Sequence, residues 1–169
     1  MPDDAPDLSD REVLTWPLFG EATRSLAQEI ADSGFEPDIV LAVARGGLTV
    51  AGALSYALAV KNCFAMNVEF YTGVDTRLEM PVMLPPMLNL LDIRGLRVLV
   101  ADDVADTGKT LELVRSVIAE HVSEARSAVL YQKPRSVIDA EYVWKHTDRW
   151  INFPWSTEAP VVASTILDA

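Results

Sequence analysis

Short, uninterrupted apolar stretches constrain the fold of this chain more than any other feature. The clearest is Ile39–Val43, and further strands are predicted at 63–70, 97–101, 128–131 and 142–144. A strand with one solvated face alternates apolar and polar residues, so an unbroken run of branched side chains predicts burial on both faces. Burial of that kind is typical of a parallel sheet covered by helices.

Between these strands, apolar residues recur at helical spacing. A first helix is predicted after Thr15, which suits an N-cap, and it is expected to end at Gly34. A second, alanine-rich helix is predicted over 48–60, and a third presents Leu111 and the residues that follow it. Strands that alternate with helices predict an α/β fold with a central, mainly parallel sheet flanked by helices.

The segment 72–95 shows neither a strand period nor a helix period. It contains Pro81, Pro85 and Pro86 together with two glycines. A long irregular loop is uncommon in a compact domain and is often functional, for example as a lid. We therefore predict a mobile loop over 72–92.

Length and composition favour a single domain. Half of the 169 residues are apolar, which is enough for a sizeable core. We expect this domain to cover 11–169, after a disordered or frayed acidic tail at 1–10. Cys63 is the only cysteine, and His121 and His146 are far apart in the sequence, so a disulfide framework and a zinc site of these residue types are excluded.

Acidic side chains outnumber basic ones, with 25 Asp and Glu against 14 Lys and Arg and a formal charge of −11. Neutralising the phosphates of DNA or RNA requires clustered Lys and Arg, so we expect no nucleic-acid partner. An anionic membrane is disfavoured for the same reason, and we expect no stable membrane association. The N-terminal residues lack the pattern of a signal peptide, which favours a cytoplasmic location.

Most of the functional information lies in Asp102–Thr110, which reads Asp-Asp-Val-Ala-Asp-Thr-Gly-Lys-Thr. This segment leaves a predicted strand and enters a predicted helix, where open α/β sheets bind ligands. The amides of a helix N-terminus attract phosphate, and Gly108 allows a close approach of the backbone. Asp102, Asp103 and Asp106 would repel a phosphate. We therefore expect them to face sugar hydroxyls, a Mg²⁺ ion or a proton that is to be abstracted.

Other interpretations of this segment are weaker. Gly108-Lys109-Thr110 resembles the end of a Walker A motif, but that motif needs glycine at position 103, where this chain has Asp103. A dinucleotide-binding GxGxxG pattern is missing as well. A solvated acidic turn that caps the helix is the remaining alternative, although one aspartate suffices for capping.

The stretch Val98–Thr110 closely resembles the phosphoribosyl pyrophosphate (PRPP) motif of type I phosphoribosyltransferases, an apolar strand followed by two acidic residues and a Thr/Gly-rich loop. Independently, Ala44–Gly47 is similar to the pyrophosphate loop of that family. The resemblance implies the type I phosphoribosyltransferase fold, with a small hood built from the terminal segments. Within the family, the chain looks most like the bacterial xanthine-guanine and hypoxanthine-guanine enzymes, through segments 14–16, 106–110, 132–134 and 150–155.

The resemblance also implies a reaction and its cofactor. The enzymes of this group transfer the 5-phosphoribosyl group from PRPP to a 6-oxopurine, which yields a nucleoside 5′-monophosphate and pyrophosphate in purine salvage. By position, Asp102 and Asp103 would bind the ribose hydroxyls, partly through Mg²⁺, and Asp106 would be the general base near purine N7. Arg45 and Gly46 would meet pyrophosphate. The 5′-phosphate would be held by Thr107, Gly108, Lys109 and Thr110.

The resemblance assigns the purine base to a second group of residues. Lys133 would donate to the 6-oxo oxygen, Trp150 would stack on the ring, and the Ile151 backbone would contact the 2-position. Tyr71 would belong to the mobile loop that closes over PRPP. Xanthine-guanine enzymes usually carry aspartate where this chain has Ser156, so the preferred 6-oxopurine is left open.

Plainer alternatives exist for several of these residues. Arg45 and Lys133 fit a solvated surface, while Trp150 and Trp155 fit a core or a dimer interface. A phosphoribosyltransferase for a different base and a non-catalytic PRPP-binding regulator are the alternative functions. Asp106 disfavours the regulator, because a sensor has no need of a general base. The resemblance further implies a homodimer or homotetramer.

Overall fold

The computed structural model describes residues 10–71, 80–84 and 93–162. The predicted tail, apart from Asp10, and the loop segments 72–79 and 85–92 lie outside the described residues. The strands are β1 (Arg11–Val13), β2 (Ile39–Ala44), β3 (Cys63–Tyr71), β4 (Met80–Leu84), β5 (Arg97–Ala105), β6 (Glu124–Gln132), β7 (Tyr142–His146) and β8 (Trp150–Asn152). The helices are α1 (Trp16–Asp32), α2 (Gly46–Ala57) and α3 (Lys109–Ala119).

In the described part of the chain, six strands form one sheet in the order β4-β3-β2-β5-β6-β7. β2 pairs in parallel with β3 and β5, and β6 and β7 continue the parallel arrangement. β4 runs antiparallel to β3 at one edge. The predicted α/β class with a mainly parallel sheet is therefore confirmed.

Each face of the sheet carries its own apolar core. Val40 and Ala42 of β2 pack with α1 and α2, whereas Leu41 and Val43 pack with α3 on the opposite face. Successive side chains of a strand point to opposite faces. Burial on both faces explains why the run that begins at Ile39 contains no polar residue.

Helix α1 begins and ends as predicted. Thr15 is its N-cap, and the Thr15 hydroxyl accepts a hydrogen bond from the amide of Leu18 at 3.3 Å. Gly34 follows the helix with φ of +74°, a conformation that glycine adopts without steric cost. Helix α2 covers Gly46–Ala57 instead of the predicted 48–60. No helix among the described residues is long and apolar enough to cross a membrane.

The prediction of irregular structure throughout 72–95 is wrong for Met80–Leu84, which form strand β4. Tyr71 lies opposite Met80, and Phe70 lies opposite Pro81. Proline lacks an amide hydrogen, but an edge strand tolerates it because one side of such a strand needs no partner. Pro81 argues against a strand in the sequence, so strand β4 is recognised only from its pairing with β3.

Strand β5 is longer than predicted. It extends to Ala105, so Asp102 and Asp103 lie on the strand instead of in the following loop. Pairing with β2 ends at Ala101, but β6 continues beside β5 until Gln132 lies opposite Ala105. Hydrogen bonds to β6 alone keep the backbone of Asp102 and Asp103 extended.

The two ends of the described chain meet in a small second sheet. β1 pairs in parallel with β8, with Glu12 opposite Ile151. Aromatic rings pack beside this pair: Phe153 stacks on Trp155 with 5.0 Å between ring centroids, and Trp155 meets Phe19 at 5.5 Å. This unit matches the predicted hood from the terminal segments, and we call it the hood.

Glu141 connects three elements at the start of β7. Its carboxylate accepts hydrogen bonds from the amide and the hydroxyl of Ser127 on β6, both at 2.7 Å, and pairs with Arg115 of α3 at 2.8 Å. Burial by itself raises the pKa of Glu141. The Ser127 hydrogen bonds and the Arg115 charge outweigh burial and hold the pKa below its ordinary value.

Replacing Glu141 with Gln is expected to lower the free energy of unfolding by about 1–3 kcal/mol at neutral pH, because charge-assisted hydrogen bonds are lost. Since the folded-state pKa is depressed, this contribution is present above the unfolded value of about 4.3 and disappears as the pH falls through the folded-state pKa. Urea denaturation at neutral and acid pH measures both effects. The exposed Glu29→Gln on α1 is the control, and equal stability of Glu141→Gln and wild type at neutral pH contradicts the prediction.

Candidate functional site

The predicted site segments meet at one edge of the sheet. Arg45 and Gly46 follow β2, Asp102–Thr110 completes β5 and begins α3, and Lys133 follows β6. These three strands are parallel neighbours, so their carboxyl ends lie side by side, where open α/β sheets bind ligands. Tyr71 ends β3, and the loop after it lies outside the described residues.

Asp102 and Asp103 form a carboxylate pair at this edge. The Asp103 amide donates to Asp102 Oδ1 at 2.8 Å. Burial raises the pKa of Asp102 well above its ordinary value, and the adjacent Asp103 charge raises it further. Burial also raises the pKa of Asp103, although hydrogen bonds to the side chains of Asp102 and Trp155 lower it in part. A pair with these properties favours a cation or hydroxyl donors as its ligand.

Two glycines at the start of α2 allow that helix to contact this pair. A Cβ on Gly46 would overlap the Asp103 carboxylate, which lies directly against it. A Cβ on Gly47 would overlap the carbonyl oxygen of Ala101 and would lie 3.2 Å from Cα of Asp102. The Ala44–Arg45 peptide bond is cis. Gly46 and Gly47 therefore provide a surface without side chains where the start of α2 touches the end of β5.

The N-terminus of α3 encloses a cavity of about 270 Å³. Gly108 is the N-cap, with φ of +75°, and no side-chain hydrogen bond caps the helix. The Lys109 amide makes only a long hydrogen bond of 3.5 Å to the Thr107 hydroxyl, and the amides of this first turn face a site suited to an anion. Thr107, Gly108, Lys109 and Thr110, all predicted to hold a phosphate, line this cavity together with Asp102 and Asp106.

A second cavity, of about 1000 Å³, adjoins the first and contains the residues predicted to bind a base. Trp150 is 68% exposed, so its indole is open to the cavity and the solvent, whereas Ile151 is buried in the hood. Asp106 and Val104 line both cavities. The other residues of the larger cavity are Lys133, Pro134, Arg135, Asp148, Asn152, Phe153 and Ser156. We call this the hood cavity.

Lys133 is held at the wall of the hood cavity. Its amide donates to the carbonyl of Ala105 at 3.0 Å, and its ammonium donates to the carbonyl of Arg149 in the hood. The side chain is half-buried. The structure therefore differs from the alternative in which Lys133 is a freely solvated surface residue.

The two tryptophans occupy different environments. Trp155 packs against Trp16 at 5.9 Å between ring centroids and against Phe153 and Phe19, so the core alternative applies to it. Trp150 is exposed at the hood cavity, in a position consistent with the predicted role in stacking.

Sequence reasoning missed Arg135. Its Nε donates to Asp106 Oδ1 at 2.9 Å, and its Nη2 donates to Oδ1 at 2.5 Å and to Oδ2 at 2.6 Å. The carboxylate predicted to be the general base is thus paired with a guanidinium. Asp106 and Arg135 are far apart in sequence, and the position of Arg135 just after Lys133-Pro134 was the only available signal.

The acidic pair fits a magnesium ion that is shared with a phosphorylated ligand. Among the described residues, no group of three or more His, Cys, Asp and Glu side chains could hold a metal by itself. Mg²⁺ commonly takes one or two carboxylates and completes its shell with water and substrate phosphates. Asp102 and Asp103 supply donors of that number and kind.

Comparisons with known proteins agree with this architecture. A family model described as the phosphoribosyl transferase domain matches residues 9–161, so the chain belongs to that family. A xanthine-guanine phosphoribosyltransferase from Ruegeria sp. is 30% identical, with 84% of this chain and 83% of that protein covered. The same enzyme from Nitratidesulfovibrio vulgaris is also 30% identical, with 90% and 89% covered.

Solved structures support the same fold. The crystal structure of a purine phosphoribosyltransferase from Pyrococcus horikoshii matches with a TM-score of 0.77 and 36% identity, covering 91% of this chain and 98% of the other. A xanthine-guanine-hypoxanthine phosphoribosyltransferase from Helicobacter pylori shares the fold with a TM-score of 0.72 at 23% identity, with 86% and 93% covered. The predicted type I phosphoribosyltransferase fold is thereby confirmed.

The contact between Gly47 of α2 and β5 predicts that Gly47→Ala is destabilising. The new methyl group meets backbone atoms of a central strand, which cannot move aside, so we expect a loss of about 1–3 kcal/mol in the free energy of unfolding. Gly20→Ala on α1 is the matched control, because nothing lies within 4 Å of its added Cβ. That substitution should stabilise by up to about 1 kcal/mol. Thermal and urea unfolding compare the two, and equal effects contradict the close approach.

Proposed function

We propose that this protein transfers the 5-phosphoribosyl group of PRPP to a 6-oxopurine, giving a nucleoside 5′-monophosphate and pyrophosphate. The observation that carries the proposal is the adjacency of two cavities that share Asp106. The smaller one suits a phosphate, and the larger one suits a flat heterocycle. The names of the relatives, xanthine-guanine and purine phosphoribosyltransferase, support the same substrates.

PRPP would lie across the carboxyl ends of β2 and β5. Its 5′-phosphate would occupy the cavity at the N-terminus of α3, where backbone amides and the Thr107 and Thr110 hydroxyls can donate hydrogen bonds. Its ribose hydroxyls would face Asp102 and Asp103, and its pyrophosphate would meet Arg45 and Gly46. When bound to this pair, Mg²⁺ would offset the negative charge of the departing pyrophosphate.

The purine would occupy the hood cavity. The Trp150 indole offers an apolar face for stacking, and the Ile151 backbone would contact the 2-position. The Lys133 ammonium can donate to a 6-oxo oxygen. A 6-amino group cannot accept that hydrogen bond, so adenine should be rejected.

The proposed reaction is a substitution at the anomeric carbon of the ribose. Purine N9 would form the new bond to C1′, and the bond from C1′ to the pyrophosphate oxygen would break, with the electron pair leaving on pyrophosphate. The proton on purine N7 would pass to the Asp106 carboxylate. Cationic character that develops at C1′ would be favoured by the nearby acidic pair.

Nucleotide formation from PRPP, Mg²⁺ and a panel of bases tests the proposal. We expect product with at least one of guanine, xanthine and hypoxanthine, no product with adenine, and loss of activity on chelation of Mg²⁺. Asp106→Asn should lower kcat by about 10²- to 10⁴-fold, because the proton acceptor is removed. Lys133→Met should raise KM for the base and weaken discrimination against adenine.

The same panel separates the alternatives. The proposal is overturned if the folded protein ribosylates none of the 6-oxopurines. Turnover with only a pyrimidine indicates a different acceptor base, and PRPP binding without turnover on any base indicates a regulator. Ser156 lines the hood cavity, and its hydroxyl can both donate and accept, so the ranking among the three 6-oxopurines is an outcome of the experiment.

We also propose that a second copy of the chain covers the outer face of α2. No residue of Gly46–Ala57 is charged, yet Leu48 is 47% exposed and Tyr56 is 92% exposed. The exposed Cys63 and Ala65 of β3 extend this uncharged face. A helix that is apolar all round is normally buried. Because copies of a chain with a charge of −11 repel each other, an uncharged face is where they can associate.

Substitution of Tyr56 by Glu is expected to convert the oligomer into monomers, because it introduces a negative charge into this face. Light scattering coupled to size-exclusion chromatography measures the mass in solution. Val162→Glu, at another exposed apolar residue, is the control and should leave the mass unchanged. A monomeric wild type, or a Tyr56→Glu variant of unchanged oligomeric mass, contradicts an interface at α2.

A further inference from the structure

Arg135 is a charged residue of the hood cavity to which the proposed reaction gives no task. We propose that Arg135 is a positioning residue, which holds the Asp106 carboxylate in the orientation that accepts the purine proton. This inference rests on the proposed function, and it adds a residue through which Asp106 acts.

Two backbone hydrogen bonds join the segment around Arg135 to the residues on either side of Asp106. The Lys133 amide donates to the carbonyl of Ala105 at 3.0 Å, and the Val137 amide donates to the carbonyl of Thr107 at 2.8 Å. The position of Arg135 relative to Asp106 is therefore set by two backbone hydrogen bonds. A chance ion pair between long side chains on a surface has no such support.

The segment is further fixed by packing against the start of α3. Gly108 has no side chain, and a Cβ there would overlap the Ser136 hydroxyl and would lie 2.9 Å from Cγ2 of Ile138. The Ser136 hydroxyl donates to the carbonyl of Ile138 at 2.6 Å. The turn that carries Arg135 is therefore packed against the loop that carries Asp106.

The hydrogen bonds of the pair leave a defined part of the carboxylate available. Oδ1 accepts from both Nε and Nη2 of Arg135, whereas Oδ2 accepts only from Nη2. A carboxylate oxygen has about two lone-pair sites. Oδ1 of Asp106 is thus fully used, and one site on Oδ2 is left for the N–H group of a bound purine.

The ion pair between Arg135 and Asp106 fixes the orientation of the Asp106 carboxylate more than it stabilises the fold. The terminal torsion of an aspartate is broad, so an unpaired Asp106 carboxylate would sample many orientations. The side chains of Arg135 and Asp106 are 67% and 45% exposed, and ion pairs as exposed as this one contribute little to folding. Removing the guanidinium should therefore leave the fold intact and change the geometry of proton acceptance.

Lys133 is not a substitute for Arg135. Its ammonium donates to the carbonyl of Arg149, on the hood side of the cavity. Lysine is also a point donor, whereas arginine holds a carboxylate with two directed N–H groups. The two neighbouring cations thus have separate tasks: Lys133 faces the base, and Arg135 orients the residue that takes its proton.

Steady-state kinetics of Arg135→Ala, Arg135→Lys and the matched surface variant Arg24→Ala test this role. We expect Arg135→Ala to lower kcat by about 10- to 100-fold, as for a misplaced catalytic group, with KM for PRPP unchanged. Arg135→Lys should recover part of the loss, and added guanidinium should restore part of the activity of Arg135→Ala. In Asp106→Asn, the further change Arg135→Ala should have no effect on kcat, because Arg135 acts through that carboxylate.

The outcomes separate this role from the proposed function. No turnover by wild type overturns the proposed function, and the role of Arg135 with it. An active wild type with Arg135→Ala of similar kcat overturns the role of Arg135 alone. A loss in Arg135→Ala that is accompanied by a lowered melting temperature, is not restored by guanidinium, and adds to Asp106→Asn also overturns it, because general damage would then explain the loss.

Discussion

The parallel pairing of β2 with β5 at the centre of the sheet is the interaction on which the site depends. Ala42 lies opposite Ala101, and both strands then end at the same edge. This register brings Gly46 against Asp103, where no side chain could be accommodated. The start of α2 and the acidic end of β5 therefore form one continuous surface. Burial of both strands between helices makes that register strict, because a slip by one residue would exchange the side chains that fit the two differently packed cores.

The distribution of charge in the candidate site is compatible with the proposed binding of an anion by an acidic chain. The half-buried pair Asp102 and Asp103 is suited to a cation, to hydroxyls or to a developing positive charge. The adjoining helix N-terminus would present backbone amides to the proposed phosphate, a donor set that adds no net charge to the protein. Arg135 neutralises Asp106 between the two cavities. The net charge of −11 therefore says little about small phosphorylated ligands, although it still opposes nucleic acid.

Sequence patterns predicted those elements whose formation depends on residues that are close together along the chain. The Thr15 cap, the glycine stop at Gly34 and the buried run from Ile39 were all evident, because capping, left-handed backbone and two-sided burial each select particular residue types. The strand at Met80–Leu84 was missed, since its conformation comes from pairing with β3 and its proline argues against a strand. The extension of β5 to Ala105 was missed because it depends on the length of β6.

The sequence by itself determined the α/β class, the order of the five central strands and the three helices, and the residue types of the segment Asp102–Thr110. These properties follow from periodicity and from motifs that are contiguous in the chain. Only the tertiary structure decided that Trp155 packs in the hood while Trp150 borders a cavity, and that Arg135 pairs with Asp106. Such contacts join residues that are distant along the chain, and their geometry is set by strand register and loop packing, which no local pattern encodes.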